Sequence, residues 1–323
     1  MTMSSSSPTA PTKSSGDVRD VKRAQPAPPE TESLAGYHLR PDPDDPRLTQ
    51  RVRGVDQDGA AIETPVVIER PLTIFLNDQE IVTAMTINDH PEYLAIGFLL
   101  NQNMLRADDI VEGVAYDPEL EVAVVRTARA TDYEEKMKKK VRTSGCAQGT
   151  VFGDLMERFE EIVLPRDTEI RTSWLYSLTR TINTTPSLYL EAGAIHGCVL
   201  CYKDQPLVYM EDVGRHNAVD KIAGYMFRHG LSAGDKIFYT TGRLTSEMVI
   251  KTVQMGIPIL ASRSGFTAWG VDLARQANLT LIGRAKGKRF LALAGAERIV
   301  RDTDPTQVGE EDARHQRKGS RDV

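Results

Sequence analysis

Cys146 is the residue of this chain best placed for nucleophilic chemistry. It lies in Arg142-Thr143-Ser144-Gly145-Cys146-Ala147-Gln148-Gly149. Flanking glycines predict a loop that leaves a thiol accessible. Arg142 and the Lys138–Lys140 run nearby favour the thiolate. A thiolate that accepts a sulfane sulfur becomes a persulfide, one of the reversible states of cysteine. A loop cysteine alone is more often incidental, so a role requires a second feature. The other two of the three cysteines, Cys198 and Cys201, have the Cys-x-x-Cys spacing of zinc and redox sites. They fall within an apolar run that reads as a strand, where residues three apart face opposite sides. That predicts two buried core cysteines.

The second feature is cationic. Four segments follow strand-like runs: Glu211-Asp212 with Gly214-Arg215-His216-Asn217, Thr241-Gly242-Arg243, Ser262-Arg263-Ser264-Gly265, and Arg284 with Lys286-Gly287-Lys288-Arg289. In an open α/β sheet, ligands bind beyond the carboxyl ends of the strands. Three of these loops precede helices, whose N-termini attract anions, and arginine adds bidentate contacts to phosphate. A single such loop is an ordinary turn with a solvated arginine. Their recurrence predicts a polyanionic ligand such as a nucleotide diphosphate, with Arg215, Thr241, Gly242, Arg243 and Ser264 in the binding set. His216 opens a predicted helix, where apolar burial is not expected, and is a candidate ligand or site residue.

Elements that could position these groups follow from the pattern. Pro65–Pro71, Leu72–Leu76 and Glu80–Thr86 read as short strands, Asp89 as the cap of a helix with Pro91 in its first turn, and Val111–Ala115 and Glu121–Arg126 as strands. Tyr133–Lys140 is a charged, solvated segment. Beyond Ser173 helices and strands alternate: a helix over Trp174–Ile182; strands at Ser187–Leu190, Gly197–Tyr202 and Pro206–Met210; a helix from Gly214 to Gly230; then strand, helix, strand, helix, strand through Gly283, and a strand over Arg289–Ala294. The expectation is an α/β protein with a partly parallel sheet. Its boundaries are a disordered tail over 1–60, a small α/β domain over 61–140, the cysteine loop at 141–150, a larger domain over 151–300 and a second tail over 301–323. A net charge of −5 argues against general nucleic-acid binding. No apolar run reaches membrane-spanning length, so no membrane association is expected. The Ser/Thr/Pro/Ala-rich N-terminus is not a signal peptide, and three cysteines suit a reducing cytoplasm.

Glu211-Asp212-Val213-Gly214-Arg215-His216-Asn217-Ala218-Val219-Asp220-Lys221 resembles the E-D-V-G-R-H-N-A-x-D-K signature of the formate dehydrogenase accessory protein (FdhD) family. Thr241-Gly242-Arg243 with Ser246 and Glu247, Gly256–Ser264, and Glu92–Leu100 resemble further segments of the family, so the likeness runs from Pro65 to Ile299. The resemblance implies a cytidine-deaminase-like α/β sandwich with a smaller N-terminal α/β domain. It implies a sulfurtransferase that takes sulfur from a cysteine desulfurase as a Cys146 persulfide. The sulfur then goes to the Mo-bis(molybdopterin guanine dinucleotide) cofactor, a bound substrate, before its insertion into formate dehydrogenase. It also implies a homodimer, and a cofactor-binding segment at Phe290, Leu291, Ala292, Leu293, Ala294 and Gly295. The family loop reads G-C-x-x-C-G; here the second cysteine is absent, so an intraloop disulfide cannot discharge the persulfide. The T-G-G segment of the family is also replaced, by Glu191-Ala192-Gly193-Ala194-Ile195 before His196. The alternative is a cofactor chaperone that transfers no sulfur. A deaminase-type zinc site needs H-x-E…P-C-x-x-C spacing, which is missing here, so no protein-ligated metal is expected.

Overall fold

A computed structural model of the chain describes residues 36–129 and 152–304. Cys146 with the loop 141–150, the segment Tyr133–Lys140 and the outer parts of both expected tails lie outside the described residues.

Strands β1 (Thr49–Val55) and β2 (Ala61–Val67) pair as an antiparallel hairpin. Next come β3 (Arg70–Leu76), β4 (Gln79–Thr86), helix α1 (Pro91–Asn101), β5 (Val111–Asp117) and β6 (Val122–Thr127), with a sheet in the order β4-β3-β6-β5. Alternation builds this unit. Leu72, Ile74 and Leu76 face one side of β3 and pack with Ala123 and Val125 of β6 and with Leu94, Ala95 and Leu99 of α1. Asp89 does not cap α1. His90 holds the cap position, and the Asp89 carboxylate accepts a hydrogen bond from Lys221 Nζ at 2.5 Å. The expected tail over 1–60 also needs correcting, because β1 lies within it. Leu48 is buried with Ile87, Leu188 and Ile195, and Leu39 bridges Val208. A few apolar anchors are enough to dock a segment of polar composition.

The larger unit contains α2 (Phe152–Glu161), β7 (Ile170–Arg171), α3 (Thr172–Thr184), α4 (Leu188–Glu191), β8 (His196–Tyr202), β9 (Gln205–Asp212), α5 (Arg215–His229), β10 (Lys236–Thr240), α6 (Ser246–Gln254), β11 (Ile259–Ser262), α7 (Ala268–Gln276), β12 (Thr280–Lys286), β13 (Arg289–Ala294) and β14 (Ile299–Val300). Ser187–Leu190, expected as a strand, lies largely in helix α4, because Glu211 accepts hydrogen bonds from its first N–H groups. The sheet runs β13-β12-β11-β10-β8-β9. Strands β10, β11 and β12 are parallel, and β8 is antiparallel to both β9 and β10, so β9 runs parallel to β10. Helices α5, α6 and α7 pack on one face, with Val219, Ile222, Val249, Val253 and Leu273 in the core. On the other face lie Leu175, Leu178 and Ile182 of α3. The layered α/β architecture and the partly parallel sheet match the expectation.

The two units meet through backbone. A Cβ on Gly97 of α1 would lie 1.7 Å from the Asp220 carbonyl oxygen of α5, and one on Gly224 would lie 2.0 Å from that of Tyr93. Around this crossing Lys221, fully buried, places Nζ 2.6 Å from Asp212 Oδ2 and 2.5 Å from Asp89 Oδ1. Burial opposes its charge, but the two carboxylates outweigh burial and raise its pKa. Thr86 Oγ1 donates to Asp212, Asn101 Nδ2 donates to Asp220 Oδ1 at 2.6 Å, and Lys251 Nζ reaches both Asp220 oxygens at 2.7 Å.

Candidate functional site: a cationic sheet edge

Because β9, β10, β11 and β12 all run the same way, the loops after them emerge at one edge of the sheet, joined there by the first residues of β8 and β13. The four loops singled out in the sequence therefore converge. Loop 241–243 is held by side chains acting on its backbone. Gly197 N donates to Thr241 Oγ1 at 3.0 Å, Ser262 Oγ to the Gly242 carbonyl at 2.7 Å, and Ser264 Oγ to the Thr241 carbonyl at 2.9 Å. The hydroxyls of Thr241 and Ser264, expected in the binding set, are thus engaged in shaping the loop.

On the α3 side the edge opens into a cavity of about 660 Å³. Arg263, Arg284, Lys286, Lys288, Arg289 and Arg301 line it, together with Tyr176, Phe290 and Leu291. Each cation has a local reason for its place. Arg284 has φ 52°, so the backbone of β12 turns there. Gly287, at φ 58°, closes the tight turn between β12 and β13. Arg263 lies over the Tyr189 ring at 5.3 Å, a cation–π contact. Tyr189 sits at the start of α4, where Glu211 accepts from the N–H groups of Leu188 (2.8 Å) and Tyr189 (3.0 Å). Burial pushes the Glu211 carboxyl up to about 7. Asp302 binds the start of α3 through Ser173 N at 2.9 Å and Ser173 Oγ at 2.6 Å, which draws its pKa down to about 2. This fixes the segment carrying Arg301, a cavity residue that the sequence reading had placed in a tail. The combination of clustered cations with an aromatic and apolar wall suits a polyanion that also carries a ring.

The remaining predicted residues divide between two places. Phe290 and Leu291 face the cavity, Ala292 packs on the α3 side, and Leu293 is exposed. Ala294 is buried on the opposite face, and Gly295 leaves the strand at φ 62°. Arg215 and His216 lie instead at the start of α5, beside loop 241–243. Contrary to the expectation, His216 is buried, and its Nε2 lies 3.0 Å from Glu247 Oε2. Burial lowers its pKa against the pull of that carboxylate. Arg215 packs its stem over Gly242. His196 lies nearby, half-buried, with its pKa lowered first by burial and then by Arg215, His216 and Arg243. His196, Glu247, Tyr176 and Arg301 join the site beyond the residues expected from the sequence. Their partners come from other elements, and no spacing along the chain reveals them.

Cys198 and Cys201 point to opposite faces of β8 into the two cores, as predicted. Burial pushes the Cys198 thiol up to about 12 and raises Cys201 further. Neither is a thiolate at neutral pH. Among the described residues no group of His, Cys, Asp and Glu side chains could hold a metal ion, and no helix is long and apolar enough to cross a membrane.

Fold and edge together define a layered α/β protein with a cationic rim. Comparison with known proteins narrows the class. The model of the FdhD/NarQ family matches residues 67–300, and the chain belongs to that family. It is 30% identical over 242 residues to a protein named sulfur carrier protein FdhD from Bacillus pumilus, covering 73% of this chain and 90% of the relative. A protein of the same name from Bacillus subtilis is 28% identical over 239 residues, covering 74% and 91%. A crystal structure of a candidate formate dehydrogenase accessory protein from Desulfotalea psychrophila is similar with a TM-score of 0.64 and 27% identity. The likeness covers 78% of this chain and 99% of that one.

Proposed function

We propose that this protein is a sulfur carrier for formate dehydrogenase. It accepts sulfur on Cys146 from a cysteine desulfurase and passes it to the Mo-bis(molybdopterin guanine dinucleotide) cofactor, a substrate held at the cationic edge. In the loading step the Cys146 thiolate attacks the outer sulfur of the donor's persulfide. A new sulfur–sulfur bond forms on Cys146, the donor's bond breaks, and its thiolate leaves with the electron pair. One observation carries the assignment of the sulfur. Of the three cysteines, two are sealed in packed hydrocarbon with raised pKa values, so the reactive thiol falls to Cys146. The cavity supports the other half of the reading: six cationic side chains suit diphosphate groups, while Tyr176 and Phe290 suit the flat face of a base. The protein acts in the cytoplasm, beside its donor and its client dehydrogenase, and works as a homodimer.

The missing second loop cysteine favours one other reading, a chaperone that binds the cofactor without carrying sulfur. Complementation of a strain lacking its own accessory protein separates the two. Sulfur carriage predicts that Cys146→Ala gives no formate dehydrogenase activity. Full activity from Cys146→Ala establishes the chaperone instead.

A further inference from the structure

The edge holds a second concentration of polar groups, which the cavity does not include. Arg215 is nine-tenths buried, yet its Nε is enclosed without a hydrogen-bond acceptor, and no carboxylate pairs with it among the described residues. The nearby acids are engaged elsewhere: Asp212 with Lys221, Thr86 and Asn217, and Glu247 with His216. A buried guanidinium without an acceptor is costly and needs an explanation. Its stem lies against Gly242, where a Cβ would lie 3.2 Å from Arg215 Cδ, and His216 Nε2, 3.0 Å from Glu247 Oε2, brings the start of α5 to that of α6. There Thr245 Oγ1 is also buried without a partner, and so is His216 Nδ1. Neither α5 nor α6 has a side-chain cap, so the first N–H groups of both helices add donors at this point. Arg243 is exposed and His196 half-buried at the rim.

We propose that the starts of α5 and α6 form a second anion subsite, separate from the cavity, which takes one phosphate-class oxyanion on Arg215, Arg243 and His196. An oxyanion gives the Arg215 guanidinium the counter-charge that no carboxylate among the described residues supplies, and offsets the mutual repulsion of the surrounding cations. The inference deepens the polyanion reading of the edge. The cavity takes one anionic group of the ligand, and this subsite takes another or a free anion. It does not depend on Cys146.

Inorganic phosphate is the probe, added to the full chain. The ring Cε1–H resonance of His196, assigned among the six histidines by loss in His196→Gln, is the local reporter. The resonance should shift saturably with phosphate, and the pKa of His196 should rise on binding. Arg243→Gln, at an exposed position, should weaken the apparent affinity about tenfold, and Arg289→Gln in the cavity should leave it unchanged. Arg215→Gln should abolish the shift while circular dichroism stays native. Guanosine diphosphate that displaces phosphate from His196 assigns the subsite to the nucleotide ligand; simultaneous binding assigns it to a separate small anion. An unresponsive His196, or a shift indifferent to Arg243→Gln, overturns the subsite. So does a shift lost equally in Arg289→Gln, which would place the anion in the cavity and leave the cationic edge standing.

Discussion

Replacing Gly97 with alanine pushes a methyl group into the backbone of α5. The new Cβ would lie 1.7 Å from the Asp220 carbonyl oxygen, where ordinary contact begins at 3.4 Å. No rotamer relieves this, because both partners are backbone. The helices must part, and parting stretches the Asn101–Asp220 hydrogen bond and the Lys221–Asp89 pair, both within 2.6 Å. Overpacking costs about 1–3 kcal/mol, and a buried ion pair that loses its partner costs about 3–5 kcal/mol. A loss of about 3 kcal/mol overall corresponds to a fall in Tm of roughly 6–12 °C for a chain of this size. Gly224→Ala, with its Cβ 2.0 Å from the Tyr93 carbonyl oxygen, should cost as much. The double variant should cost less than the sum, because both substitutions open one contact. Gly113→Ala, which meets open space, is the control and should stay within about 0.5 kcal/mol of wild type. Thermal and urea melts report all four. A Gly97→Ala midpoint that coincides with the control would show that the two units do not meet through backbone.

Lys221→Met should destabilise by about 3–5 kcal/mol in urea melts, because it leaves Asp212 and Asp89 facing each other in the core; wild-type stability would remove this pair from the account. Glu211 has a folded pKa raised from 4.5 to about 7, so the folded state holds its proton more tightly than the unfolded chain. Its contribution is therefore complete below pH 4.5 and declines as pH rises towards 7. Urea midpoints should drop across this window in wild type and flatten in Glu211→Gln; parallel slopes would contradict the assignment. Arg284→Gln with Arg289→Gln should weaken guanosine diphosphate binding by about tenfold or more and reduce its salt dependence, as read by calorimetry at two ionic strengths. Equal affinities would move the nucleotide out of the cavity.

The larger sheet was legible because its signals are local. Glycine marks the stops of α5 and α6, at Gly230 with φ 61° and Gly256 with φ 76°, and strands β10 and β13 have the boundaries that their apolar runs predict. Opposite facing of Cys198 and Cys201 followed from the period of a strand alone. Convergence of the four loops followed from the βα alternation. What the chain did not announce depends on distant partners. Ser187–Leu190 reads as extended, yet Glu211, more than twenty residues away, supplies the acceptors that make it helical. Asp89 looks like a cap until Lys221 claims it. His216 looks like a surface residue at a helix start until α6 covers it with Glu247. The division of the edge into a cavity and a helix-end cluster is a matter of which face of the sheet each loop leans towards, and linear spacing does not encode that.

Sulfur on Cys146 is the claim on which the functional account stands, and intact-mass spectrometry reads it directly. After incubation with a cysteine desulfurase and cysteine, the wild-type chain should gain the mass of one sulfur atom and lose it again on treatment with a thiol. Cys198→Ser should still gain it, and Cys146→Ala should not. An adduct that persists in Cys146→Ala, or none in wild type under conditions that load another persulfide acceptor, would contradict the account.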